Sequence, residues 1–401
     1  PRNYSLINPN RYDENNELSD LAAVGVTYLY LLALRKELRN LDFFKNKKQP
    51  NLLTILDLVA LGTVCDVVPL KNINRSIVSK GLEIIKSRKS RSISTILDNS
   101  NLNHEPKTDD LGYIIGPQIN AASRLGYSQL PTQLLISENI NEIDTISKKL
   151  ILLNEKRKLI ENEIYNQAIK QVSNQKDSKF ILIYGDNWFK GVLGIIASRI
   201  VNDFFKPVFI ISFEDNYGFG SARSIDTINL TNIIFEAKNQ GILISGGGHS
   251  MAAGLKIKKD KIPEFKKFLH NYLNIYEESK FHKKLFYVDK ISIDQIQSSI
   301  IKDLEILEPF GTGNEEPTFV FTDVNIESLK IIKEKHILLI LKNSFNNKIK
   351  CFSFNSTNTI IGEYLLKYRK FKFEIAGILK QNNFNAKYEL QIILKDLLLI
   401  K

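Results

Sequence analysis

Gly246-Gly247-Gly248-His249-Ser250-Met251-Ala252-Ala253-Gly254 is the stretch on which the reading of this chain turns. Three consecutive glycines free their backbone N–H groups of Cβ shielding and permit φ > 0, the geometry in which successive amides converge on an anion. His249 follows at once and can donate to a phosphoryl oxygen, while Ala252, Ala253 and Gly254 let the backbone turn tightly into an apolar strand at 255–257. Three glycines alone read as an ordinary loop. The histidine and the small-residue tail turn the reading toward a phosphate site.

Upstream, residues 218–224 read Gly-Phe-Gly-Ser-Ala-Arg-Ser, in which Ser221, Arg223 and Ser224 form a compact set of phosphate donors. A β-turn with a solvated arginine is the other reading of that run, and the glycine stretch downstream favours the donors. The surrounding texture is α/β: strands over 180–184 and 208–213, and a helix over 191–201 packed through glycine. Trp188 reads as core, with a base-stacking platform as its alternative. Further upstream, Arg124 stands among Ala121, Ala122, Ser123, Leu125 and Gly126, where close backbone packing suits a guanidinium fork to phosphate. Residues 139–172 read as one long helix, capped at Asn139 with Glu142 behind it. Its apolar stripe is Ile143, Ile146, Leu150, Leu153, Ile160, Ile164 and Ala168, and its opposite face is charged, with Lys156, Arg157 and Lys158. Such a helix is expected to connect two domains.

The N-terminal part predicts a helix over 20–39 and a second, apolar one from Pro50 to Val64. Two carboxylates fall in that apolar run. Asp57 reads equally as a satisfied buried hydrogen-bonding group and as a functional one, whereas Asp66, at the helix exit before Val67, Val68 and Pro69, is placed to project into a cleft. Beyond a basic helical stretch over 261–284 and a turn at 308–317, β-branched alternation predicts five strands: 318–332, 336–342, 348–355, 371–380 and 387–400. A helix at 359–368 falls between the third and fourth, the order expected of an OB barrel.

Length and charge frame these motifs. At 401 residues the chain has room for two to three domains, and its net charge of +11 favours an anionic partner, nucleic acid above all. Cys65 and Cys351 lie apart in apolar segments without CxxC spacing, so neither a disulfide framework nor a zinc site is suggested and a reducing cytoplasm fits. The longest apolar stretch, 21–34, is too short to span a bilayer, so no membrane association is expected. The chain opens on Pro1, its single methionine is Met251, and residues 5–7 look like mid-strand; these features lead us to expect an N-terminal truncation.

Taken together, these segments resemble the RecJ family of single-strand-specific 5′ to 3′ exonucleases in the DHH phosphoesterase superfamily. The resemblance runs through LINPN (6–10), LDLVALGTVCDVVPL (56–70), IGPQINAASRLG (115–126), WFKGVLGIIASRI (188–200), GSARS (220–224), GGGHSMAAG (246–254) and LEPFGTGNEEPTF (307–319). It implies an α/β architecture: the C-terminal part of a DHH catalytic domain at 1–137, a connecting helix at 138–175, an α/β DHH-associated domain at 176–278 and an OB-type β-barrel at 279–401. It also implies two-metal hydrolysis with Mn²⁺ or Mg²⁺, releasing 5′-mononucleotides in DNA recombination and repair. On this resemblance Asp66 is a metal ligand and Arg124 grips the 5′-terminal phosphate. Ser221, Arg223, Ser224, His249 and the amides of Gly246, Gly247 and Gly248 hold further phosphates, with Asp66 and His249 facing each other across one cleft. Single-stranded DNA is the implied partner of a cytoplasmic monomer, with a single-strand-binding protein and a RecQ-type helicase as implied protein partners.

The departures are as informative. The family's aspartate-rich metal motif and its Asp-His-His triplet do not occur in these 401 residues, and Trp188 is followed by Phe189 where a histidine is common. The chain alone is therefore expected to be inactive. Rival readings are a DHH phosphodiesterase for oligoribonucleotides or cyclic dinucleotides, which lacks such a barrel, and a non-catalytic single-strand binder.

Overall fold

The computed structural model describes residues 6–11, 13, 17–102, 104–175, 177–297, 299–357, 359–368, 371–382 and 389–400. Ser5 and the start of the strand expected from 387 lie outside these, and Leu6 and Ile7 form no strand. In chain order the helices are α1 (Ala23–Asn40), α2 (Leu56–Cys65), α3 (Asn72–Lys86), α4 (Arg91–Asn99), α5 (Thr108–Asp110), α6 (Gly116–Arg124), α7 (Gln129–Ile136) and α8 (Ile140–Val172). Then β1 (Ile181–Asp186), α9 (Lys190–Phe204), β2 (Val208–Glu214), β3 (Tyr217–Arg223), α10 (Leu230–Asn239), β4 (Ser245–Gly248), β5 (Ala252–Lys258) and α11 (Ile262–Asn274) form an α/β segment. The chain ends in β6 (Asp289–Ile291), α12 (Ser299–Ile306), β7 (Thr318–Ile332), β8 (His336–Lys342), β9 (Lys348–Ser353), α13 (Ile360–Lys367), β10 (Lys372–Asn382) and β11 (Glu389–Ile400). These fall into two compact units: residues 1–87, 105–112 and 285–401 make one, and residues 88–104 and 113–284 the other.

In the second unit a five-stranded sheet runs in the order β1-β2-β3-β5-β4, parallel only between β1 and β2. β2 is apolar along nearly its whole length and buried except at Glu214, as a central strand covered on both faces must be. The core joins Phe180, Ile183, Phe209 and Ile211 to Ile196 and Ile200 of α9, to Ile233 of α10 and to Phe265 of α11. α8 is a single helix, begun by the Asn139 side chain, which accepts from the N–H groups of Asn141 and Glu142. Trp188 belongs to this core, its Nε1–H donating to Gln167 Oε1 at 2.8 Å.

In the first unit, β7, β8, β9, β11 and β10 pair in that order and β10 pairs back onto β7, closing a five-stranded barrel with α13 between the third and fourth strands. Alternation places Ile337, Leu339, Leu341, Cys351, Phe321, Phe373 and Ile375 inside. β10 is irregular between Ala376 and Gly377, where a Cβ on Gly377 would lie 2.5 Å from Ile392 Cγ2. The turn expected at 308–317 is more than a link. Leu70 N–H donates to Thr312 O at 2.7 Å, Arg75 Nη2 donates to the carbonyls of Ile306, Leu307 and Glu308, and Lys107 pairs with Glu308. The turn is thereby fastened to the segment that follows α2.

Candidate functional site

In the second unit, the two expected arginines both reach the first turns of α9. Arg124 ends α6, and its Nη1 donates to the Gly191 carbonyl at 2.8 Å. Arg223 ends β3, where its Nη1 donates to Ser221 Oγ at 3.1 Å and to the Ala222 carbonyl at 2.8 Å. A Cβ on Gly194 would lie 2.6 Å from Arg223 Nη2 and 3.1 Å from Ser221 Oγ, and one on Gly191 would lie 3.0 Å from the Arg124 carbonyl. Positions 191 and 194 share one helix face, so the missing side chains are what let both arginines approach it.

Electrostatics agrees with that proximity. Arg124 is exposed overall, yet partial desolvation draws its guanidinium below the ordinary value; repulsion from Arg157 adds to this and Glu161 opposes it. Arg223 is drawn down by burial first and by the Arg124 charge second. Both stay cationic at neutral pH, and two guanidinium groups reaching residues one turn apart on α9 favour an anion there.

The glycine run adopts another geometry than expected. Ser245, Gly246, Gly247 and Gly248 form the edge strand β4, paired with β5, so the three amides do not converge in a loop. Pairing to β5 turns alternate amides of the edge strand into the ladder and the others away from it, so the three do not point at one anion. Gly248 at φ 157° faces the Ala252 carbonyl, which a Cβ would approach to 2.3 Å, while a Cβ on Gly247 would meet nothing within 4 Å. The result is a bare strip of backbone beside Gly254 and Ser221, which pair across β5 and β3. His249 is exposed, its N–H donating to Ala252 O. The turn that carries it docks on the exit of β3, with Ser224 N–H donating to Met251 O and Leu230 N–H to Ser250 O.

Ser224 departs from its expected role. It is buried, and its hydroxyl donates to the Ile228 carbonyl at 2.7 Å, so it closes the turn after β3 rather than serving a phosphate. Sequence reasoning missed Asn154, Arg157 and Glu161 of α8, placing Arg157 on the solvated face; it is buried and paired instead. The signal was present in the spacing. Residues 150, 153, 157, 160 and 164 step by three and four, so Arg157 occupies a place in the apolar stripe.

In the first unit, Asp57 is buried and its Oδ1 accepts the Leu58 N–H, the satisfied reading of that carboxylate. Asp66 is exposed at the end of α2, followed by Val67 at φ 59°, a left-handed conformation that a β-branched residue adopts at a cost of about 1–3 kcal/mol. Strain beside an exposed carboxylate marks this corner. Among the described residues no three His, Cys, Asp or Glu side chains gather to hold a metal ion, so they do not build a two-ion site. Nor is any helix among them long and apolar enough to cross a membrane.

Residues 161–274 match the DHHA1 domain model and residues 289–396 the RecJ OB domain model. The single-stranded-DNA-specific exonuclease RecJ of Dickeya dadantii is 30% identical over 415 residues, covering 99% of this chain and 70% of that protein. Crystal structures of Thermus thermophilus RecJ in complex with Mn²⁺ and with Mg²⁺ superpose with TM-scores of 0.78 and 0.76, each at 26% identity and over 93% of this chain. The chain spans about half of those solved structures, 52% and 55%. With both domain models, the five-stranded barrel and this extent of identity in agreement, the chain belongs to the RecJ family of single-stranded-DNA-specific exonucleases.

Proposed function

We propose that this chain holds single-stranded DNA by its phosphates for metal-dependent 5′ to 3′ hydrolysis that releases 5′-mononucleotides in recombination and repair. The observation that supports this reading most is that Arg124 and Arg223 both reach the glycine face of α9. Arg124 takes the 5′-terminal phosphate. Arg223 and Ser221 take a neighbouring one, with His249 and the bare strand of Gly246, Gly247 and Gly248 lining the same sheet end. Contacts confined to phosphate carry no base information, so binding is independent of sequence. The barrel offers a second strand-binding surface, which favours this reading over a phosphodiesterase for short oligoribonucleotides. Asp66 is the one carboxylate the chain contributes to a site for Mn²⁺ or Mg²⁺, and the 401 residues by themselves bind strands without cleaving them.

The test compares a 5′-phosphorylated with a 5′-hydroxyl single-stranded oligonucleotide by fluorescence anisotropy. The chain should prefer the phosphorylated end about tenfold, the worth of one charge-assisted bidentate contact, and Arg124→Ala should abolish the preference. A preference that survives the substitution reassigns Arg124 to structure.

A further inference from the structure

The sheet face that carries Ser221 and Arg223 holds a second concentration of positive charge. Alternation along β3 puts Tyr217, Phe219, Ser221 and Arg223 on one face, while Gly218, Gly220 and Ala222 turn to the core. β5 sets Lys258, Lys256, Gly254 and Ala252 opposite them in that order, and β4 adds Ser245 beside Lys256 and Gly247 beside Gly254. α9 packs on β2 and β3. The β5 and β4 part of the face is left open: Ser245, Gly247 and Gly254 are exposed, and a Cβ on either glycine would meet nothing nearer than 4.0 Å.

Two ammonium groups converge on the Phe219 ring at one end of this shelf. Lys190 Nζ, from the first turn of α9, lies 3.6 Å from the ring centroid and Lys256 Nζ lies 5.2 Å from it, with the Tyr217 centroid 5.0 Å from the same Lys256 Nζ. Like charges gathered on one ring repel each other. Lys190 is partly offset by Glu214 at 2.7 Å, whereas Lys256 makes no ion pair among the described residues. Covering a half-buried ring needs only the lysine stems, with the charged ends left in water. Here the charged ends themselves face the rings, which holds them in place for an anion.

We propose that Lys190 and Lys256, seated on Phe219, form a further phosphate subsite that takes an internal phosphodiester of the same strand that Arg124 and Arg223 hold. The proposal rests on the reading of Arg223 as a phosphate contact and extends it along the sheet. Phe219 stands four residues from Arg223 on β3, about 13 Å at the rise of a strand, so the two seats serve different phosphates. Gly254 and Gly247 fill the register position between them, where bare backbone lets the nucleic-acid chain lie against the sheet. Lys190 and Lys256 against Glu214 leave a surplus of +1 (2 − 1 = 1), which matches the single charge of a diester. Phe219 is a positioning residue that acts through the two lysines.

The experiment measures anisotropy of a 5′-hydroxyl single-stranded oligonucleotide, whose phosphates are all diesters, on the intact chain over a salt series. Lys256→Gln should weaken binding roughly threefold to tenfold and make the log–log salt slope shallower by about 0.7, the effect of one lost phosphate contact. Phe219→Leu keeps both charges and an apolar side chain but removes the ring; it should weaken binding about twofold to fivefold, the worth of an exposed cation–π seat. Lys267→Gln is the charge control, because Lys267 is exposed on α11, which packs on the other face of the sheet through Phe265 and Phe209. A K256Q protein that binds no more weakly than K267Q overturns the proposal. So does an F219L protein with unchanged thermal unfolding and wild-type affinity, since general charge and not a seated pair would then be at work. Arg223→Ala separates the two readings: if it weakens binding while K256Q does not, only the further subsite fails, and if neither weakens it, the reading of Arg223 fails as well.

Discussion

Gly194 shows how closely single residues set the site. A methyl group there would press Arg223 Nη2 from 2.6 Å, and because that contact is the far end of a flexible side chain, the arginine and not the helix gives way. Alanine is also the better helix former by about 1 kcal/mol. Gly194→Ala should therefore leave the melting temperature unchanged or raised while weakening single-strand binding by roughly tenfold, or about 1.4 kcal/mol; paired thermal unfolding and anisotropy measurements check both signs. A protein that is both more stable and equally tight in binding would show that Arg223 does not need its place on α9. At this scale the close packing around Arg124 and Arg223 was legible because small neighbours betray it. Ser224 was misread because its hydroxyl is claimed by a carbonyl four residues on, and Arg157 because a charge on a helix reads as solvated until its place in the stripe is counted.

Whole elements were more legible than their uses. The long helix predicted over 139–172 forms over Ile140–Val172 with Asn139 as its cap, and β7 and β8 match their predicted spans at both ends. Alternation and capping are local, so they survive in the sequence. The pairing of Gly246, Gly247 and Gly248 as an edge strand is not local; it depends on β5 presenting a partner edge, and glycines carry no alternation to reveal it. Two predictions belong here. Asn139→Ala should cost about 1 kcal/mol by leaving the N–H groups of Asn141 and Glu142 without their acceptor, read as a lowered denaturation midpoint. Arg75→Ala, which removes the donor to three carbonyls at the end of α12, should cost about 1–3 kcal/mol. Its effect should appear in the melting of the barrel-bearing unit; an unchanged midpoint would mean that the 308–317 turn is held by its backbone bonds alone.

For the molecule as a whole, the division into units was the least legible feature. Residues 1–87 share a unit with 285–401, joined through Leu70, Arg75 and the turn after α12, and no periodicity in either stretch announces a partner more than two hundred positions away. Cys351 gives a handle on that unit. It is fully buried in the barrel core and burial pushes its thiol well up, while Cys65, half-buried, is pushed up to about 11 by burial and by the Asp66 charge; native alkylation should therefore be slow and confined to Cys65, and Cys351 should react only as the barrel unfolds; mass spectrometry of labelled peptides along a urea series reads this directly. The central claim, that the chain grips single strands through Arg124 and Arg223, is tested most directly by affinity for one sequence as single strand and as blunt duplex over a salt series. The wild type should favour the single strand, and an Arg124→Ala, Arg223→Ala protein should bind it more weakly, with its log–log salt slope shallower by about 1.4, two phosphate contacts at roughly 0.7 each. Equal affinity for both forms, or a slope that the two substitutions leave unchanged, would contradict it.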